Sequence, residues 1–193
     1  EIAAQKGFEI NWVEFSPDGK WIVTATGGPR SSGEARVWSA ATGQPVSEPM
    51  KHSHYVDVVL FSPDGQRVAT RSTDVHERTV DVRVWKAATG RPLTSWIHAR
   101  GSRSTLSFSP DGRRLVVVED ASHDLSATAF EARVWDVSDT LETAPALVQH
   151  ANPSLEAIPK NLPVREQGDL AEEFKWSEVT AAVFSPDSQR VAT

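Results

Sequence analysis

Apolar positions in this chain come in short bursts, each closed by a cluster of Ser, Pro, Asp and Gly. Residues 10–15 read INWVEF, rich in β-formers, and run into Ser16-Pro17-Asp18-Gly19. Proline at the second turn position presets φ near about −65°, Asp bonds nearby backbone, and Gly accepts a left-handed conformation. That combination predicts a tight hairpin. KWIVTAT, short and β-branched, reads as the return strand. After a polar loop, EARVWS predicts a third strand and AATG a second tight turn. QPVSEP predicts a weak fourth strand at a sheet edge, because Pro45 and Pro49 cannot donate to a ladder. The unit is thus four antiparallel strands, designated a, b, c and d.

The unit recurs. FSPDG or a close variant begins at Phe15, Phe61, Phe108 and Phe184, with gaps of 46, 47 and 76 residues. The third-strand signature ends at Trp38, Trp85 and Trp135, and AATG occurs at 40–43 and 87–90. A fixed period near this length marks a repeat architecture and outranks residue-by-residue reading. A four-stranded unit has two apolar faces and cannot bury both alone. Radial stacking of units, face on face, solves this, and the result is an all-β propeller.

Composition narrows the function. Hydrophobic residues at 39% and charged residues at 24% exclude a disordered chain. No apolar run approaches the roughly 20 residues that span a bilayer, so no membrane partner is expected. A net charge of −6 gives no global basic field for nucleic acid. The absence of cysteine removes disulfides, thiolate metal sites and cysteine nucleophiles.

The V-x-F-S-P-D-G motif, the R-V-W strand and His52, nine residues before Phe61, together resemble the WD40 repeat family. The resemblance covers nearly the whole chain apart from about 150 to 175. FSPDG alone also occurs in other propeller families, whereas R-V-W favours WD40. In detail the repeats look like those of large bacterial proteins, in which such propellers often follow a kinase or an NTPase. The resemblance implies blade 1 at 8–50, blade 2 at 54–97, blade 3 at 101–149, a long d–a insertion at 151–175 and an incomplete blade 4 at 176–193. The expected form is an incomplete, open arc cut from a longer array. Phe15, Phe61, Phe108, Phe184, Trp38, Trp85, Trp135 and His52 are its structural repeat positions.

The chain departs from the family pattern. Only Trp135-Asp136 spells the WD pair, and the b–c turn Asp is replaced by Ser32, Thr79 and Ala129. The expectation is therefore blades held by packed Phe and Trp layers rather than by the family's Asp-His-Ser-Trp hydrogen-bond network. In the fourth hairpin Ser188 replaces Gly. If that position is left-handed, the replacement costs a few tenths to about 1 kcal/mol.

Length variation is one-ended. The a–b turns are uniform, but Phe to Trp spans 23, 24 and 27 residues in successive repeats, and the insertion enters a d–a connection. Loops b–c and d–a share one end of an antiparallel unit. Divergent loops on a rigid frame predict a binding face formed by 27–34, 72–79, 120–129 and 151–175. Its candidate residues are Arg30, Glu34, Asp74, His76, Asp120, His123, Lys160 and Arg165. The insertion carries Pro153, Pro159 and Pro163 and is expected to be extended.

Catalytic motifs do not emerge. There is no nucleophile elbow, P-loop or Gly-x-Gly-x-x-Gly. His52 and His54 stand at metal-capable spacing, but His52 reads as a structural histidine. His123 with Asp120 and Asp124 reads as a solvated loop. Arg36, Arg83 and Arg133 each precede a Trp by two and are expected to stack on it. Trp12, Trp21, Trp96 and Trp176 are expected to pack. No catalytic residue, cofactor or metal is assigned. The expected function is a non-catalytic scaffold, cytoplasmic, binding another protein or a sister domain. The alternatives are the sensor arm of a longer bacterial kinase or NTPase and, after it, the propeller of a hydrolase.

Overall fold

The computed structural model describes residues 9–28, 31–100, 105–120, 130–138, 183–188 and 191–192. Among them every regular element is a strand. The first sheet runs β1 (Ile10–Phe15), β2 (Trp21–Thr26), β3 (Gly33–Ser39) and β4 (Met50–His52), in that order and antiparallel. The second repeats it with β5 (Tyr55–Phe61), β6 (Arg67–Asp74), β7 (Thr79–Lys86) and β8 (Ile97–Arg100). The third contains β9 (Thr105–Phe108), β10 (Arg114–Asp120) and β11 (Phe130–Asp136). The fourth contains β12 (Val183–Phe184) and β13 (Val191–Ala192). This is the incomplete propeller arc that the repeat pattern predicts.

The registers of the first two sheets coincide. Phe15 opposes Ile22 as Phe61 opposes Val68, and a bulge falls at Ile10/Trp12 and again at Val56/Val58. The a–b hairpin is built identically each time. Ser16 Oγ donates to Asp18 Oδ1 at 2.7 Å, the Asp18 carboxylate accepts from Lys20 N–H, and Ser16 Oγ accepts from Trp21 N–H at 2.9 Å. Ser62 and Asp64, and Ser109 and Asp111, repeat the arrangement. Gly19, Gly65 and Gly112 sit at φ near 70°, 68° and 68°, and Ser188 holds the same left-handed conformation at 58°. The strain on Ser188 has compensation: its hydroxyl accepts from Asp111 N–H of the neighbouring turn at 3.3 Å.

The reading of strand d needs correction. In place of 44–49, the ladder to β3 forms at Met50–His52, and Pro45 contributes only an isolated bridge to Trp38. Pro92 does the same for Trp85. In both blades a hydroxyl takes the backbone donor of the third strand at this point, Val37 N–H donating to Ser47 Oγ at 3.0 Å and Val84 N–H to Thr94 Oγ1 at 3.1 Å, and the ladder resumes only at Met50 and at Ile97. His52 accordingly closes strand d and still stands just ahead of strand a, where the motif places it.

Apolar layers lie between successive sheets. Val23, Ala25, Ala35, Val37 and Met50 meet Val56, Val59, Phe61 and Trp85. Ala69, Val82, Val84 and Ile97 meet Leu115, Val117 and Val137, with Phe108 and Trp135 packed against them. Val116 and Val118, with Ala132, Val134 and Phe184, form the third layer. Phe15 does not follow the expectation of a packed layer: it is 60% exposed, whereas Phe61 is buried. Trp12 is also exposed rather than packed. Both belong to β1, whose outer side has no neighbouring sheet among the described residues.

Candidate functional site

The two ends of the arc differ in what their polar groups do. At the SPDG end, hydrogen bonds tie blade to blade. Arg67 Nη2 donates to Ser138 O at 2.7 Å and Nη1 to Gly112 O at 3.4 Å. Arg114 Nη1 donates to Ser188 O at 3.1 Å. Both arginines stand six residues after the repeat Phe. Trp21 holds that place in blade 1 and packs into the first apolar layer instead. On the second turn, Glu48 N–H donates to Thr89 O at 3.2 Å, against Gly90, where a Cβ would lie 2.4 Å from Glu48 O.

The opposite end carries the b–c loops. Gly27 and Gly33 let the loop of blade 1 lie directly on β5. A Cβ on Gly33 would stand 2.3 Å from Thr26 O and 2.6 Å from Val56 N. In blade 2 the β6–β7 connection projects, and Val75, His76, Glu77 and Arg78 are exposed. Asp74 holds its shape by accepting N–H bonds from His76 at 2.9 Å and Glu77 at 3.2 Å. Those bonds lower the Asp74 pKa below the usual carboxylate range. His54 Nε2 lies 3.5 Å from the Asp74 carboxylate.

A polar cluster below this loop was not anticipated. Arg71 grips Asp57 through both nitrogens, at 3.0 and 2.8 Å, and Thr73 Oγ1 donates to the same carboxylate at 2.8 Å. Tyr55 beside it has a raised pKa, from burial and the Asp57 charge. Asp57 occupies the bulge position of β5. Asn11 occupies that of β1 and ties the blades by donating to Gly27 O and Val56 O. The sequence signal was available, since both residues stand four before the repeat Phe.

Of the candidate loop residues, Glu34 lies half-buried on β3, Asp74 ends β6, His76 is exposed on the blade 2 loop and Asp120 ends β10 opposite Phe130. Asp74 and His76 are joined through the backbone bond given above. Arg30, His123, Lys160 and Arg165 lie outside the described residues, as does the insertion 151–175.

His52 is buried. Its Nδ1 lies 3.0 Å from Ser72 Oγ, and its ring packs on Trp85 and Trp96 at centroid distances of 5.7 and 5.0 Å. Burial, then the Arg83 charge, depresses its pKa to about 3, so it is neutral. Trp85 Nε1 donates to Thr70 Oγ1 at 2.8 Å, and Trp38 Nε1 to Thr24 Oγ1 at 2.9 Å. The family's continuous Asp-His-Ser-Trp network is not formed; two separate bonds, His52 to Ser72 and Trp85 to Thr70, add to the packed layers. Arg36 lies over Trp38, and Arg83 lies over both Trp85 and Trp96, as the spacing predicted. Trp135 is only half-buried, and its Nε1 has no hydrogen-bond partner among the described residues.

Repeated four-stranded sheets stacked through apolar layers define a β-propeller arc. Residues 2–39 match the family profile WD40, described as WD domain, G-beta repeat. Over these residues the first repeat is similar to a WD40 repeat. Such repeats generally serve as scaffolds for protein interaction. Solved structures with a similar fold include a eukaryotic initiation factor, with TM-score 0.54 and 14% identity over 70% of this chain and 32% of that one. An uncharacterized protein from Listeria monocytogenes EGD-e gives TM-score 0.51 and 13% identity over 74% of this chain and 42% of that one. The chain thus spans less than half the length of either protein. No helix among the described residues is long and apolar enough to cross a membrane.

Proposed function

We propose that this chain is a non-catalytic scaffold that docks another protein, or a sister domain of a longer chain, on the end bearing the b–c and d–a loops. One observation carries the reading. At the SPDG end, arginines and turn groups are committed to holding blades together, whereas the β6–β7 loop presents Val75, His76, Glu77 and Arg78 to solvent from a stiff hairpin. Arg67 and Arg114 satisfy carbonyls of the next blade and leave that end little freedom to adapt. The exposed loop carries both charge signs and an apolar side chain that is 40% exposed, a mixture suited to a protein surface. The sister-domain version draws support from the greater length of both structural neighbours. A regulatory propeller attached to a kinase or NTPase fits the same surface.

Site-specific photocrosslinking tests this. Crosslinkers at His76 and at Lys20 sample the two ends in cell extract. Protein adducts forming from His76, and lost when Glu77 and Arg78 are reversed in charge, support the reading. Adducts confined to Lys20 overturn it. Deletion of 151–175 is expected to alter binding and to leave folding intact.

A further inference from the structure

We infer, resting on the docking end proposed above, that Arg78 is the residue by which the blade 2 loop grips its partner, and that the group it takes is a carboxylate of that protein. The observation behind this is a backbone conformation that a tight turn ordinarily gives to glycine. Gly19, Gly43, Gly65, Gly90 and Gly112 fill the left-handed positions of the other turns, at φ between 68° and 71°. Arg78 holds the same conformation at φ 54°. A side chain there crowds its Cβ against backbone, a cost that glycine avoids. Ser188 is the other exception, and blade-to-blade bonds compensate it: its hydroxyl accepts from Asp111 N–H at 3.3 Å and its carbonyl from Arg114 Nη1 at 3.1 Å. Arg78 is exposed, and among the described residues no ion pair engages its guanidinium. Backbone strain that the fold itself does not use is concentrated at ligand clamps and binding sites.

The loop presents Arg78 from a fixed frame. The β6–β7 ladder runs to Asp74 opposite Thr79, so the four residues 75–78 bridge the strands. Asp74 Oδ1 braces the first half of the bridge by accepting from His76 and Glu77 N–H, and His54 Nε2 stands 3.5 Å from Oδ2. The Asp74 charge is thus engaged within the loop, and Arg78 follows on the far side, one residue before the ladder. A guanidinium offers parallel N–H groups that match both oxygens of a carboxylate. Val75, 40% exposed on the same loop, adds apolar contact area. Arginine is enriched at protein interfaces and among the residues that dominate their energetics. A net charge of −6 disfavours a polyanion such as nucleic acid, whereas one carboxylate needs only the one fork.

The test uses the 193-residue protein with the photocrosslinker at His76, in cell extract. Arg78→Gly is expected to raise Tm by about 2–4 °C. Arg78→Asn, whose side chain tolerates the left-handed region, should raise it by less. Both should cut the protein adducts from His76 by about tenfold or more. Arg78→Lys keeps the charge and supplies an amine. With a carbodiimide, which couples an amine to a carboxylate in contact with it, mass spectrometry should find that amine joined to an Asp or Glu of another protein. Undiminished His76 adducts in Arg78→Asn overturn the inference and leave the docking end standing. Adducts confined to the crosslinker at Lys20 overturn both. A junction to phosphate in place of a carboxylate, or a Tm that falls in Arg78→Gly, also overturns the inference.

Discussion

Replacing Thr70 with Val exchanges one hydroxyl for a methyl group and tests how the buried tryptophans are held. Thr70 is fully buried, accepts from Trp85 Nε1 at 2.8 Å and donates to Arg83 O at 3.3 Å. Thr70→Val leaves the indole N–H without an acceptor in an apolar layer. An orphaned buried donor costs about 1–3 kcal/mol. The added methyl returns about 0.8 kcal/mol. The net expectation is a loss of about 1–2 kcal/mol. Blade 3 supplies the reverse experiment. Trp135 opposes Leu115 as Trp85 opposes Val68, so Val117 stands where Thr70 stands, and Trp135 Nε1 has no hydrogen-bond partner among the described residues. Val117→Thr is expected to stabilise by about 1 kcal/mol, the same two contributions with signs reversed. For a chain of this size that raises Tm by about 2–4 °C. Urea denaturation followed by tryptophan fluorescence and by circular dichroism measures both variants. Val117→Thr that destabilises, together with Thr70→Val that costs nothing, would refute the assignment of equivalent positions in the two blades.

Trp85→Ala should cost about 3–5 kcal/mol, the usual penalty for truncating a buried aromatic, and a loss under about 1 kcal/mol in the same denaturation assay would contradict its place in the first apolar layer. His52 is neutral in the folded chain with a pKa of about 3, whereas an unfolded histidine titrates near about 6.5. The unfolded state therefore takes up the extra proton between those values, and stability present above about pH 6.5 is lost as pH falls toward 3, at up to about 1.4 kcal/mol per pH unit. Denaturation across pH 7 to 4 should show this slope in the wild type and its reduction in His52→Leu; equal slopes would remove His52 as the cause. Gly33→Ala forces a Cβ onto the backbone of Thr26 and Val56 and should cost about 3 kcal/mol. Gly19→Ala meets no atom within 4 Å but sits at φ 70° and should cost only about 1 kcal/mol. Thermal melts rank the two, and Gly19→Ala proving the worse would mean that the blade 1–blade 2 contact is looser than described.

The architecture was legible in the chain because it rests on local chemistry repeated at a fixed interval. Ser-Pro-Asp-Gly makes its turn from its own side chains, so Ser16, Asp18 and Gly19 announce the hairpin without reference to the rest of the molecule. The R-V-W strand likewise placed Trp38 and Trp85 in buried positions and Arg36 and Arg83 over their rings. The weak strand d was misplaced, because its pairing is set by where β3 offers a free edge and not by a pattern of its own. The candidate loop residues were chosen from length variation, a property that says where the chain is free and nothing about what the loop touches. Asp57, Arg71 and Thr73 escaped notice for the opposite reason. They lie on strands a and b, far apart along the chain, and only the pairing of β5 with β6 brings them together. Tertiary structure alone also decided that Phe61 is buried and Phe15 is not. The two residues share one motif and one register, and burial depends on the neighbour that arrives to cover them.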